Sequence, residues 1–220
     1  MIEVGNLRVR MKDKSIWATI LNRKEDANYL IVCPFTKESG IKNTLKNDYD
    51  FTFFPYGSTE TGEYEGGIIT CSDIRFNLTQ EWSVTLEYIY TGNLETNKTN
   101  YSKTHLAEDW NAIFCFGRHI LDKDHVNDPQ FILPLFDLEN KVKKSGISMW
   151  CQAPNPQAWH RYCIEHKDNV TAVSIDNVPQ DTQQFDYPKE VQGFFMSGGG
   201  YYHSLPCKIR NFTLYGTVVS

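Results

Sequence analysis

Trp82-Ser83-Val84-Thr85-Leu86-Glu87-Tyr88-Ile89-Tyr90 decides the fold. Trp82, Val84, Leu86, Tyr88 and Tyr90 fall on one face of an extended chain, while Ser83, Thr85 and Glu87 fall on the other. Side chains alternate across a strand with a period of two, so the stretch predicts a half-buried antiparallel strand. Downstream, the polar segment Thr91 to Thr104 reads as a loop, and Leu106 to Trp110 as at most one helical turn. Ala112 to Gly117 returns as a nearly all-apolar strand.

Further strands are predicted at Phe131 to Leu138, Ser145 to Cys151, His160 to His166, Thr171 to Ile175, Gly193 to Met196 and Lys208 to Tyr215. Turn residues separate them at sandwich or barrel spacing, and no long helical periodicity suggests βαβ units. Lys167-Asp168-Asn169 predicts a tight hairpin and Asp176-Asn177 the next turn. Asx residues tolerate positive φ and bond their own backbone.

Composition agrees with strands. Aromatic residues make up 14% of the 220, and aromatic side chains suit a pleated, half-buried surface. A single large domain of this length buries enough core without staples. The net charge of −5 gives no basic footprint for nucleic acid. The densest basic cluster, Lys141, Lys143 and Lys144, reads as a solvated turn before a small anion site. No run of about 18 apolar residues predicts membrane insertion, and the first residues lack signal-peptide regions.

Six cysteines occur without a CxxC pair or zinc-finger spacing. Cys115 and Cys163 lie in apolar strands, so buried free thiols made in a reducing cytoplasm are expected. The even count leaves disulfides open. Sequons at Asn77, Asn97, Asn100, Asn169 and Asn211 are read as coincidence in an Asn- and Thr-rich chain. Residues 1–27 read as an N-terminal arm or hairpin, with Leu7 to Met11 pairing with Ser15 to Leu21 across Lys12-Asp13-Lys14. The arm serves either as a sandwich edge or as an attachment segment; residues 28–220 form the main domain.

The order of elements over residues 76–215 resembles the concanavalin A-like, laminin G-like family. The resemblance rests on six pieces in order: Phe76-Asn77-Leu78 with Trp82 to Tyr90; Trp110 to Gly117; Trp159-His160-Arg161-Tyr162-Cys163-Ile164; Asn169 to Asn177; Phe194-Phe195-Met196-Ser197-Gly198-Gly199; and Cys207 to Tyr215. Asp176-Asn177 stands where Asp-Gly is usual, and Cys207 where a glycine is usual. The resemblance implies an all-β, antiparallel β-sandwich of jelly-roll type, with Asn28 to Gly67 supplying the opening strands.

Glycosidases of that fold carry Glu-x-Asp-x-x-Glu on one strand, so that an acid and a nucleophile face the same bond. That run is absent here, as are a Gly-x-Ser-x-Gly elbow, His-Glu-x-x-His and a phosphate-binding glycine loop. No enzyme activity is expected, and no cofactor. Asp122, Asp124 and Asp128 are the metal candidate, because closely spaced carboxylates on a loop supply hard oxygen ligands for Ca²⁺; the bland alternative is a solvated turn. Tyr201, Tyr202 and His203 follow three glycines and are the carbohydrate candidate, able to stack on sugar rings; the alternative is a turn whose tyrosines pack on a neighbour. Trp159 reads as a sheet-packing residue. His160 and His166 share a strand face by parity but stand too far apart to chelate together.

These readings converge on a structural or adhesion module. One expectation is a virion surface component, of the capsid decoration or tail-fibre kind, partnered by other structural subunits in an oligomer and by cell-surface glycans. An adhesive fold without a secretion signal, together with an attachment arm, motivates it. The alternatives are a free carbohydrate-binding lectin, cytoplasmic in location, and a glycan-degrading enzyme of the same fold.

Overall fold

The computed structural model describes residues 2–4, 7–9, 29–45, 51–92, 112–118, 131–136, 147–151, 155–198 and 206–219. Every regular element among them is a strand: β1 (Ile2–Val4), β2 (Leu7–Val9), β3 (Tyr29–Cys33), β4 (Phe54–Pro55), β5 (Tyr64–Glu65), β6 (Ile69–Phe76), β7 (Trp82–Tyr90) and β8 (Ala112–Phe116). They continue as β9 (Phe131–Phe136), β10 (Ile147–Cys151), β11 (His160–Lys167), β12 (Val170–Ile175), β13 (Val178–Gln184), β14 (Val191–Gly198) and β15 (Cys207–Tyr215).

A seven-stranded sheet runs β13-β12-β11-β7-β15-β3, with β5 also on β15, and a six-stranded sheet runs β10-β9-β8-β14-β6-β4. All pairs are antiparallel except β9 with β10, which is parallel. The chain is an antiparallel β-sandwich of jelly-roll type, as its order of elements predicted.

The deciding strand holds the centre. Trp82, Val84, Leu86, Tyr88 and Tyr90 are each at most 2% exposed and face the other sheet. The rings of Phe114 and Phe116 on β8 and of Phe194 on β14 meet them and Phe212 between the layers. Trp82 meets Phe116 edge-on at 4.9 Å between centroids, and Phe212 lies 5.6 Å from Phe194 and 6.1 Å from Phe114. Each such ring stabilises the sandwich by about 1.5–3 kcal/mol when fully buried.

Two turns follow the sequence. Asp168 and Asn169 take φ of 51° and 61°, and Asp176 and Asn177 take 52° and 66°. Both are two-residue connections, closing Lys167↔Val170 and Ile175↔Val178. Positive φ at both central residues is the type I′ geometry that matches strand twist, and after glycine the Asx residues bear it at least cost.

Other features went unread. Leu7–Val9 pairs with Ile2–Val4 in a two-stranded sheet, and residues 15–21 lie outside the described residues. β6 and β13 were not anticipated. β13 carries Val178-Pro179-Gln180-Asp181-Thr182-Gln183-Gln184 at a sheet edge, mostly exposed, so burial imposes no alternation on it. Cys33, Cys71, Cys115, Cys163 and Cys207 are free thiols. Burial pushes Cys33 up, helped by the nearby Cys71, and pushes Cys71 up to about 12.

Candidate functional site

Trp82 opens β7, His166 lies next to the end of β11, Thr171 lies near the start of β12, and Gln184 ends β13. The register His166↔Trp82 and His166↔Thr171 brings them to one end of the sandwich. There the β6–β7 turn, the Asp168-Asn169 hairpin and the segment after β13 surround a pocket of about 530 Å³. That size falls within the roughly 300–1,000 Å³ of small-molecule sites.

His166 and Tyr187 line the pocket at depth, and both are buried. Around them stand Thr79, Asn169, Gln184 and Asp186, all exposed, with Phe185 half-buried among them. The deep residues are braced from behind. The His166 ring lies against the Trp82 indole at 5.5 Å and 17°, and the Tyr187 ring meets His166 edge-on at 4.9 Å. Trp82 Nε1 donates to the Leu78 carbonyl at 3.3 Å, which fixes the indole.

The polar atoms at depth are satisfied by one another. Thr171 Oγ1 lies 3.0 Å from His166 Nδ1 and 3.0 Å from the Tyr187 hydroxyl. Burial pushes the His166 imidazole below its ordinary value, with Glu81 pulling the other way; burial likewise raises the Tyr187 phenol, though its bond to Thr171 opposes this. Both groups are therefore neutral near pH 7. Asn77 Oδ1 accepts from the Thr79 amide at 3.1 Å and from its hydroxyl at 2.7 Å, which presents Thr79 on a fixed turn.

Of the histidines read as ordinary packing residues, His166 lines this pocket and His160 does not. His160 lies by register opposite Tyr88, towards the other end of the sandwich. Its Nδ1 is 2.7 Å from Asp176 Oδ2 and its Nε2 is 2.7 Å from the Asn155 carbonyl. Trp159 carries the Arg210 guanidinium 4.1 Å from its ring centroid, so it packs as expected. Arg210 Nε donates to Glu87 Oε2 at 2.5 Å and Asn211 Nδ2 to Oε1 at 3.0 Å.

Tyr201, Tyr202 and His203 lie outside the described residues, as do Asp122, Asp124 and Asp128. Strand β14 ends at Gly198 and β15 begins at Cys207 opposite Tyr90, away from the pocket. Among the described residues no group of three His, Cys, Asp or Glu side chains is placed to hold a metal. The signal that sequence reading missed is Gln183-Gln184-Phe185-Asp186-Tyr187, where two amides that end an edge strand are followed by rings on either side of a carboxylate. Its partner residues lie far away in the chain, and only the register brings them together.

No family model and no curated protein matches this sequence. Among solved structures, the receptor-binding domain of botulinum neurotoxin type G aligns over 88% of this chain, with a TM-score of 0.52 and 10% identity. The chain spans about half, 49%, of that domain. Domain 4 of AbnA, an extracellular GH43 arabinanase from Geobacillus stearothermophilus solved in complex with arabinotriose, aligns over 89% of this chain and 96% of its own. Its TM-score is 0.50 and its identity 12%. At these identities the likeness is one of fold.

Proposed function

We propose that this chain is a non-catalytic glycan-binding module that takes its sugar in the pocket between Thr79, Asn169 and Gln184. The observation that carries the reading is the composition of that pocket: braced rings at depth, and amides, a hydroxyl and a carboxylate around them. A pyranose or furanose presents apolar C–H faces to rings and hydroxyls to planar amide and carboxylate groups. Phe185 is the stacking residue. Asn169, Gln184 and Asp186 read the hydroxyls. His166 and Tyr187 hold the shape from below.

The arabinanase domain with arabinotriose supports the reading at the level of fold. The same order of elements motivates placing the sandwich in the concanavalin A-like, laminin G-like class. The non-catalytic part rests on the sequence, which lacks the Glu-x-Asp-x-x-Glu strand. Service as a virion surface subunit rests on the sequence argument alone, and so does Ca²⁺ at Asp122, Asp124 and Asp128.

Calorimetric titration and a glycan array test the proposal. Wild type binds a subset of oligosaccharides, Phe185→Ala weakens that binding by at least about tenfold, and Gln184→Ala weakens it by a smaller factor. Absence of binding by wild type, or binding untouched by both substitutions, overturns it. Release of reducing ends from a bound polysaccharide would show catalysis instead.

A further inference from the structure

We infer that the pocket selects an uncharged sugar residue and discriminates against sialic and uronic acids. This rests on the glycan-binding reading above and names the ligand class of that site.

The argument is one of charge. The described lining residues contribute a single ionised group, the carboxylate of Asp186, and no lysine or arginine. His166 offers no cation, since burial holds its imidazole below the ordinary value. Asp168, at the tip of the hairpin beside Asn169, adds a second exposed carboxylate. The neighbouring ammonium, Lys167 Nζ, lies 3.4 Å from Glu81 Oε1. Arg75, beyond the β6–β7 turn, is engaged 3.1 Å from Glu190. Lys189 is exposed two positions after Tyr187 and is not among the described lining residues.

An acidic sugar would bring its carboxylate to Asp186 without a guanidinium or ammonium across from it. Like charges at an interface disfavour that partner, whereas hydroxyls donate to a carboxylate and suit it. The exposed amides of Asn169 and Gln184 donate and accept, which fits neighbouring hydroxyls and not an anion alone.

The test uses the full chain on an array of matched pairs. Neutral oligosaccharides ending in galactose, glucose or arabinose are printed beside the same cores capped with sialic or glucuronic acid. Neutral glycans are expected among the ligands, with acidic capping weakening them by at least about tenfold at low salt and less at high salt. Asp186→Asn is expected to weaken neutral binding while narrowing the gap between the members of a pair. If capped glycans bind as well or better, and Phe185→Ala abolishes that binding, the pocket is a glycan site and the selectivity inference is wrong. If no glycan binds, or Phe185→Ala and Gln184→Ala leave binding unchanged, the site assignment itself fails and the inference with it.

Discussion

The imidazole of His166 lies flat on the indole of its cross-strand partner Trp82, 5.5 Å between centroids and 17° from parallel. One face of the histidine is thereby shielded from water, and Thr171 closes its Nδ1 edge. A ring held this way is a structural plate whose neutrality matters.

That neutrality predicts a pH dependence. The folded His166 has a lowered pKa and the unfolded chain an ordinary one near 6.5. Between the two values the unfolded state binds more protons, so stability is full above about pH 6.5 and falls as pH drops towards the folded pKa. Urea midpoints measured from pH 8 to 5 should decline in wild type and decline less in His166→Gln. Equal slopes in the two proteins would remove His166 as the cause.

Thr171 is fully buried and bridges His166 and Tyr187. Thr171→Val keeps the shape and removes the hydroxyl that bridges the His166 imidazole and the Tyr187 phenol. A loss of about 1–3 kcal/mol is expected in chemical denaturation. A change under 0.5 kcal/mol would mean that water replaces the hydroxyl.

Asn169 serves turn and pocket together, and two substitutions separate these roles. Asn169→Gly keeps the positive φ of 61° and deletes the amide, so stability should hold within a few tenths of a kcal/mol while glycan affinity falls. Asn169→Val forces a β-branched residue into the left-handed region and should cost about 1–2 kcal/mol. Equal thermal midpoints for the two variants would contradict the strained-turn account.

Gly193 faces the bulge of β6 at Ser72 to Ile74 with φ of 76°, and an added Cβ would stand 2.8 Å from the Cys71 carbonyl oxygen. Neither backbone can withdraw without breaking the β14–β6 ladder. Gly193→Ala should therefore destabilise by at least about 2 kcal/mol; a neutral result in thermal unfolding would show that the bulge relaxes.

Cys33 and Cys71 are buried, with thiols held protonated by desolvation. Thiolate is the reactive form, so both should resist alkylation in the native protein and react once it unfolds. Mass spectrometry after a brief iodoacetamide pulse distinguishes the two states. Rapid native labelling at either position would place it at an accessible surface.

The sheet centre was legible because apolar side chains recur there with a period of two, and Trp82 to Tyr90 was read to its last residue. Ser83 and Thr85 on the opposite face are buried as well, so the strand is more than half-buried. The hairpins at Asp168-Asn169 and Asp176-Asn177 were legible because positive φ restricts residue choice. The pocket was not. His166 carries no mark that separates a pocket residue from a core histidine, and its neighbours Thr79 and Gln184 come from segments distant in sequence. Their nearness depends on strand register, which no local pattern states. Sequence reading turned to the Gly198–His203 segment because glycines and tyrosines are conspicuous side by side.

Strand β13 is the last of the described strands at its sheet edge, and Pro179 sits within it. Proline offers no amide hydrogen, and β13 is bulged at Gln180, between the pairs Val173↔Asp181 and Ser174↔Pro179, which breaks the regular spacing. A foreign strand laid alongside would find its hydrogen-bonding row interrupted and exposed polar side chains, Gln180 and Thr182, in its way. Among the described residues this border is blunted against sheet extension, which favours a partner on this side that grips loops or faces.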